Sequence, residues 1–178
     1  MRYFFKKNNT GFTLVEMLIY LAIMVVVAVA LIQSYIVVFK SNRSSFAENN
    51  LRNAGYGAME AMEDQIRLSQ SVDVAHSTLY PSSAGVLQLN QVDASGNGYI
   101  VKFATSTTQT LSESAGSTTP ALLGPITTNG ATVLFLRFSP INTGNSQAVR
   151  IELELSATAN GVTKNEWFYD TAVLRGSY

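Results

Sequence analysis

The chain has 178 residues, 13% of them charged, a formal net charge of +0, no cysteine and one histidine. Structural disulfides, thiolate metal sites and cysteine nucleophiles are therefore excluded, and no Ser/His/Asp set can be built with conviction around His76. The near-neutral balance argues against DNA as a partner, because a polyanion is usually met by a basic face.

The first segment, MRYFFKKNNT, carries Arg2, Lys6 and Lys7 and no acidic residue. Gly11-Phe12-Thr13-Leu14-Val15-Glu16-Met17 follows, opening a stretch from Met17 to Phe39 with no charged residue in 23 positions. A helix of that length spans about 35 Å, enough to cross a hydrocarbon core of about 30 Å. Basic residues before the span and none inside it place the N-terminus in the cytoplasm and the remainder outside. Glu16 stands at the front of this apolar run, where a carboxylate is costly, about 2.5–3.5 kcal/mol at the middle of a membrane helix and less near an interface. Something must compensate it.

Gly11-Phe12-Thr13-Leu14-Val15-Glu16-Met17, with Leu18-Ile19 and the long apolar run behind it, resembles the processing signal of type IV pilins and pseudopilins. The resemblance implies that a membrane-embedded prepilin peptidase cuts between Gly11 and Phe12 and methylates the new amine. Phe12 then becomes N-methylphenylalanine, and Glu16 the acidic residue used in subunit assembly. Two other outcomes compete. A secretory signal peptide could be cut after Ala28-Val29-Ala30, but Leu31-Ile32 and Tyr35–Phe39 continue the apolar run where a polar start is expected. A plain uncleaved anchor leaves Gly11, Phe12 and Glu16 as coincidences. Loss of residues 1–11 leaves nine basic against twelve acidic side chains, a net charge of −3.

After cleavage, Glu16 lies one helical turn from the Phe12 amine and can partner it at i,i+4, or partner the amine of an adjacent subunit. Opposite charges about 4 Å apart attract by about 4 kcal/mol at an effective dielectric of about 20, against about 1 kcal/mol in water. Desolvation erodes much of that, so the pair sets register more than it adds net stability. The bland alternative is a carboxylate snorkelling to the headgroups.

Beyond the apolar run, Phe46, Leu51, Ala54, Ala58, Met62, Ile66 and Ser69 recur at spacings of three to five. That stripe predicts one long helix from about Phe12 to about Ser69, its second half buried under a sheet. Gly55 and Gly57 are expected to weaken it, by about 1 kcal/mol each relative to alanine. Many pilins carry a proline in the apolar segment; none occurs here, so no proline kink is expected. Glu60, Glu63 and Asp64 read as a solvated face.

The period then changes to two. Val86–Asn90 and Tyr99–Phe103 flank Ser95-Gly96-Asn97-Gly98 as a hairpin. Thr132–Phe138 and Val149–Leu155 form a second pair joined by Ser139–Gln147. In the latter strand Val149, Ile151, Leu153 and Leu155 are expected inside and Arg150, Glu152 and Glu154 in water. Asn160-Gly161 leads into a last strand over about Thr163–Leu174. Residues 105–119 hold ten Ser or Thr in fifteen and read as a loop, either a solvated linker or a displayed surface.

The expected architecture is α+β: a long N-terminal membrane-spanning helix whose C-terminal half packs on an antiparallel sheet of five or six strands, resembling the ladle-shaped pilin fold. The divisions are a cytoplasmic basic leader over 1–11, a transmembrane and assembly half over 12–39, an amphipathic half over 40–70, and an extracytoplasmic sheet domain over 71–178. No cofactor, metal or catalytic residue is expected. Asp93 near Ser95 and Asn97 is thin for calcium, and Trp167-Phe168-Tyr169 reads as an alternating strand before a stacking platform. The resemblance implies as partners the prepilin peptidase, other pilin or pseudopilin subunits, an inner-membrane assembly platform and, before assembly, the lipid bilayer. It implies a filament subunit in the bacterial inner membrane and then outside it, with the minor class favoured. A DNA-uptake or adhesive pilin and a stand-alone single-pass anchor are the alternatives.

Overall fold

The computed structural model describes residues 11–178 except 83, 128–129, 144–145, 160 and 176–178. The chain divides into two compact units with the boundary between Asn42 and Arg43. Helix α1 runs Leu14–Leu68, 55 residues without a proline. In the first unit its side chains are exposed throughout, Glu16 alone being half-buried. This is the one helix among the described residues long and apolar enough to cross a membrane.

In the second unit α1 buries Ala47, Leu51, Ala54, Gly55, Ala58, Met59, Met62 and Ile66. The predicted stripe is thus present with one correction. Phe46 is 60% exposed, and Ala47, one residue on, takes the inward position. The reason is phase: Ala47, Leu51, Ala54, Ala58, Met62 and Ile66 follow spacings of three and four, which hold one helical face. Gly55 is a place of contact. A Cβ there would lie 2.1 Å from Phe168 Cζ, so the missing side chain is what lets the ring press on the helix.

Among the described residues eight strands follow. β1 (Ser71–Val72), β2 (Val86–Val92), β3 (Gly98–Thr105), β4 (Leu111–Gly116) and β5 (Ala121–Pro125) form one antiparallel sheet in sequence order. β6 (Ala131–Asn142), β7 (Gln147–Ala159) and β8 (Val162–Val173) form a second, also antiparallel. There are two sheets where the sequence reading expects one. They meet along β6, where Gly85 N–H donates to the Leu136 carbonyl (2.8 Å), Tyr80 N–H to Phe138 (2.8 Å) and Val133 N–H to Gln109 (2.6 Å). One apolar core joins them to the helix, with Phe103 and Phe138 the largest fully buried side chains.

The Ser/Thr-rich segment is a second correction. Its middle is β4, paired with β3 from Ile100↔Gly116 to Thr105↔Leu111. Leu111 and Ala115 are buried and their neighbours half-buried, so small hydroxyl side chains fill a pleated surface instead of a loop. The connection between β6 and β7 is shorter than the expected Ser139–Gln147, because the two strands pair out to Asn142↔Gln147.

Glu152 is the third correction. Expected in water, it is only 7% exposed. It pairs with Arg137 directly across the strands and with Arg150 Nε at 3.3 Å. The Arg137 guanidinium is in turn 5.3 Å from the ring centroids of both Tyr80 and Phe135. The Arg137 side chain that meets Glu152 is itself held against Tyr80 from a distant segment, at a position that alternation alone assigns to solvent.

Candidate processing and assembly site

Gly11, Phe12 and Thr13 precede the helix and are exposed. Thr13 ends the non-helical stretch for a local reason. Its hydroxyl accepts from Glu16 N–H (3.3 Å) and its carbonyl from Met17 N–H (3.2 Å), the hydrogen-bond pattern of a helix N-cap. The Gly11–Phe12 peptide bond therefore lies outside the helical ladder, in backbone that a peptidase can engage without unwinding a turn.

Nothing among the described residues asks for glycine at position 11. A Cβ placed there meets no atom within 4 Å. Gly55 makes the contrast, since there a neighbour's ring forbids a side chain.

Glu16 sits in the first turn of α1, where a negative side chain is favoured by the helix dipole. Its carboxylate accepts from the Tyr20 hydroxyl at 3.4 Å. The Tyr20 ring meets the Phe12 ring edge-on, with centroids 6.3 Å apart and planes at 76°. Phe12, Glu16 and Tyr20 thus share one face at four-residue spacing. Sequence reasoning paired Phe12 with Glu16 and missed Tyr20, though the i+4 spacing from Glu16 was a readable signal. Arg2, Lys6 and Lys7 lie outside the described residues.

Residues 6–32 match the family model for the prokaryotic N-terminal methylation motif. The chain carries that motif. With the apolar helix behind it, the motif is consistent with the type IV pilin family, and a motif of this kind implies processing by prepilin peptidase and assembly with other pilins. It points to a structural protein, and the apolar helix suits an inner-membrane anchor. No curated protein and no solved structure matches the chain.

The other sequence candidates resolve into ordinary structure. Asp93 accepts from the backbone N–H groups of Ser95 and Asn97, each at 2.8 Å, as the turn between β2 and β3 requires. The Asn97 N–H above all holds its carboxyl below the usual value. His76 Nδ1 lies 2.8 Å from Asp73 Oδ2 at the exposed surface. Among the described residues no three His, Cys, Asp or Glu are grouped to hold a metal. In β8, Phe168 is buried, while Trp167 and Tyr169 face out and stack with centroids 5.8 Å apart.

Proposed function

We propose that the chain is a structural subunit, of minor-pilin or pseudopilin type, of a type IV pilus-like or type II secretion filament. Hydrolysis of the Gly11–Phe12 bond at the cytoplasmic face releases residues 1–11 and leaves an amine on Phe12. Methyl transfer to that amine keeps it basic. The apolar half of α1, over 12–39, holds the subunit in the bilayer with residues 71–178 outside. An assembly platform then moves the subunit into the fibre, where apolar helix faces exchange lipid for one another.

Inside such a bundle Glu16 has a role that matches its cost. Its carboxylate meets the Phe12 amine of its own or a neighbouring subunit. An ion pair in that low-dielectric setting fixes axial register, because any other register leaves a buried charge unpaired. Dispersion alone would let apolar helices slide.

The observation that carries this reading is Gly11: a glycine with open space around it among the described residues, in non-helical backbone, three residues before the start of an apolar helix with an acid in its first turn. N-terminal mass analysis of the membrane-extracted protein tests it. The expected result is a chain beginning at N-methylated Phe12, and Gly11→Val leaves the leader in place because a branched side chain crowds the peptidase. An intact Met1, or a start at Leu31, in cells possessing the peptidase would refute it.

A further inference from the structure

We infer that Tyr20 is a positioning residue for Glu16, holding its carboxylate on the Phe12 face of the helix while the processed subunit waits in the bilayer for a neighbour's amine. This rests on the assembly reading above and assigns it a residue that the charge pair alone does not include.

Between Met17 and Ile32 the side chains are Met, Leu, Ile, Val and Ala apart from Tyr20, which carries the sole O–H or N–H group among them. That donor is spent on Glu16, at 3.4 Å. Long helical side chains lean toward the helix N-terminus, so a tyrosine four residues on delivers its hydroxyl back to the acid and not deeper into lipid. The Thr13 hydroxyl, the other nearby donor, faces the Glu16 backbone N–H as its acceptor. Edge-on contact with Phe12 fixes the same ring at its other side. One side chain therefore touches both residues that assembly uses.

The chemistry of the donor matters. A hydroxyl is neutral, so it adds no second charge to the hydrocarbon, whose cost would be that of any buried ion. It is also a weaker partner for a carboxylate than an ammonium is. Tyr20 thus keeps the carboxylate aimed along the helix face and gives way when an amine arrives. Without it the acid turns to the headgroups, and the incoming amine must draw it back.

Three full-length variants test this in cells that process and assemble the chain: Tyr20→Phe, which keeps the ring and loses the hydroxyl; Tyr20→Gln, which keeps a donor and loses the ring; and Glu16→Gln. Tyr20→Phe should be cleaved and methylated as the wild type is, yet enter filaments about three- to tenfold less, the factor for one ordinary net hydrogen bond. Tyr20→Gln should recover part of that loss. In lipid-reconstituted processed subunits, the infrared carboxyl band assigned to Glu16 by difference against Glu16→Gln should shift in Tyr20→Phe and return toward the wild-type position in Tyr20→Gln. Normal incorporation of Tyr20→Phe, or an unmoved Glu16 band, overturns the inference. If the wild-type chain itself is never cleaved or never enters a filament, the assembly reading has failed instead, whatever the band does.

Discussion

Helix α1 spends its two halves in opposite ways. From Leu14 to Asn42 its large apolar side chains are all exposed, whereas from Arg43 to Leu68 a single face is buried to near zero exposure. Both halves are helical, so helix formation does not distinguish them; what does is whether the chain supplies its own cover. In the second half, two sheets provide it. In the first, nothing among the described residues does, and an apolar surface of that size belongs in lipid or against other helices. The same secondary structure therefore carries a folding role at one end and, on the function proposed above, an assembly role at the other.

That contrast predicts unequal responses to equal substitutions. Leu51→Ala should destabilise the sheet-bearing unit by about 2–5 kcal/mol, as expected when a fully buried leucine leaves a cavity. Leu31→Ala, the same change on the exposed half, should leave urea unfolding of that unit unmoved in detergent. Equal shifts in the two midpoints would mean the halves are not separate in role. The Arg137–Glu152 pair gives the next effect. Arg137→Met leaves a carboxylate that is almost fully enclosed with Arg150 as its one remaining ion-pair partner among the described residues, a loss of about 1–3 kcal/mol. The double variant Arg137→Met, Glu152→Leu should regain most of it, since burying an ion pair is itself costly.

How much of this was legible follows from where each signal lives. Periods of 3.6 and two are local, so α1, the β2–β3 hairpin and the strands β6, β7 and β8 could be read directly. Local signals also singled out Gly11, Phe12 and Glu16 as the candidate processing and assembly residues. Cover supplied from far along the chain could not be read. Glu152 alternates like a wet residue, but it pairs with Arg137, whose guanidinium lies against the rings of Tyr80 and Phe135. β4 was hidden because serine and threonine mark loops as readily as strands, and its burial depends on pairing with β3 and β5. Gly55 was read as a weakness because propensity sees the missing Cβ and not the Phe168 ring that fills its place.

Gly55→Ala separates those two views of the same residue. By propensity alone the change should stabilise the helix by about 1 kcal/mol. By packing it forces a methyl to within 2.1 Å of the Phe168 ring, whose other face meets Tyr56 edge-on at 5.7 Å, so the ring has little room to yield. Overpacking of this kind costs about 1–3 kcal/mol. A lower denaturation midpoint is therefore expected, with Gly57→Ala, which meets open space, as the control that rises.

The smallest effect lies at the start of the sheet-bearing region, where Asp73 follows β1. Its carboxylate accepts from His76 Nδ1 (2.8 Å), Gln88 Nε2 (3.0 Å) and the Ala75 and His76 backbone N–H groups. The hydrogen bond from His76 is the main reason its carboxyl is held below the usual value, against a smaller opposing effect of burial. A carboxyl that ionises at lower pH in the folded chain than in the unfolded one adds stability above its unfolded value of about 3.9 and loses it as pH falls through the folded value. The urea midpoint of Asp73→Asn should accordingly lie slightly below wild type near pH 7, and the gap should close in the acid range below about pH 4. A gap that stays constant down to pH 2 would mean the turn depends on hydrogen bonds an asparagine also makes, and not on the charge. Because this turn belongs to the covered half of the comparison, the same titration should leave entry of the apolar helix into membranes untouched.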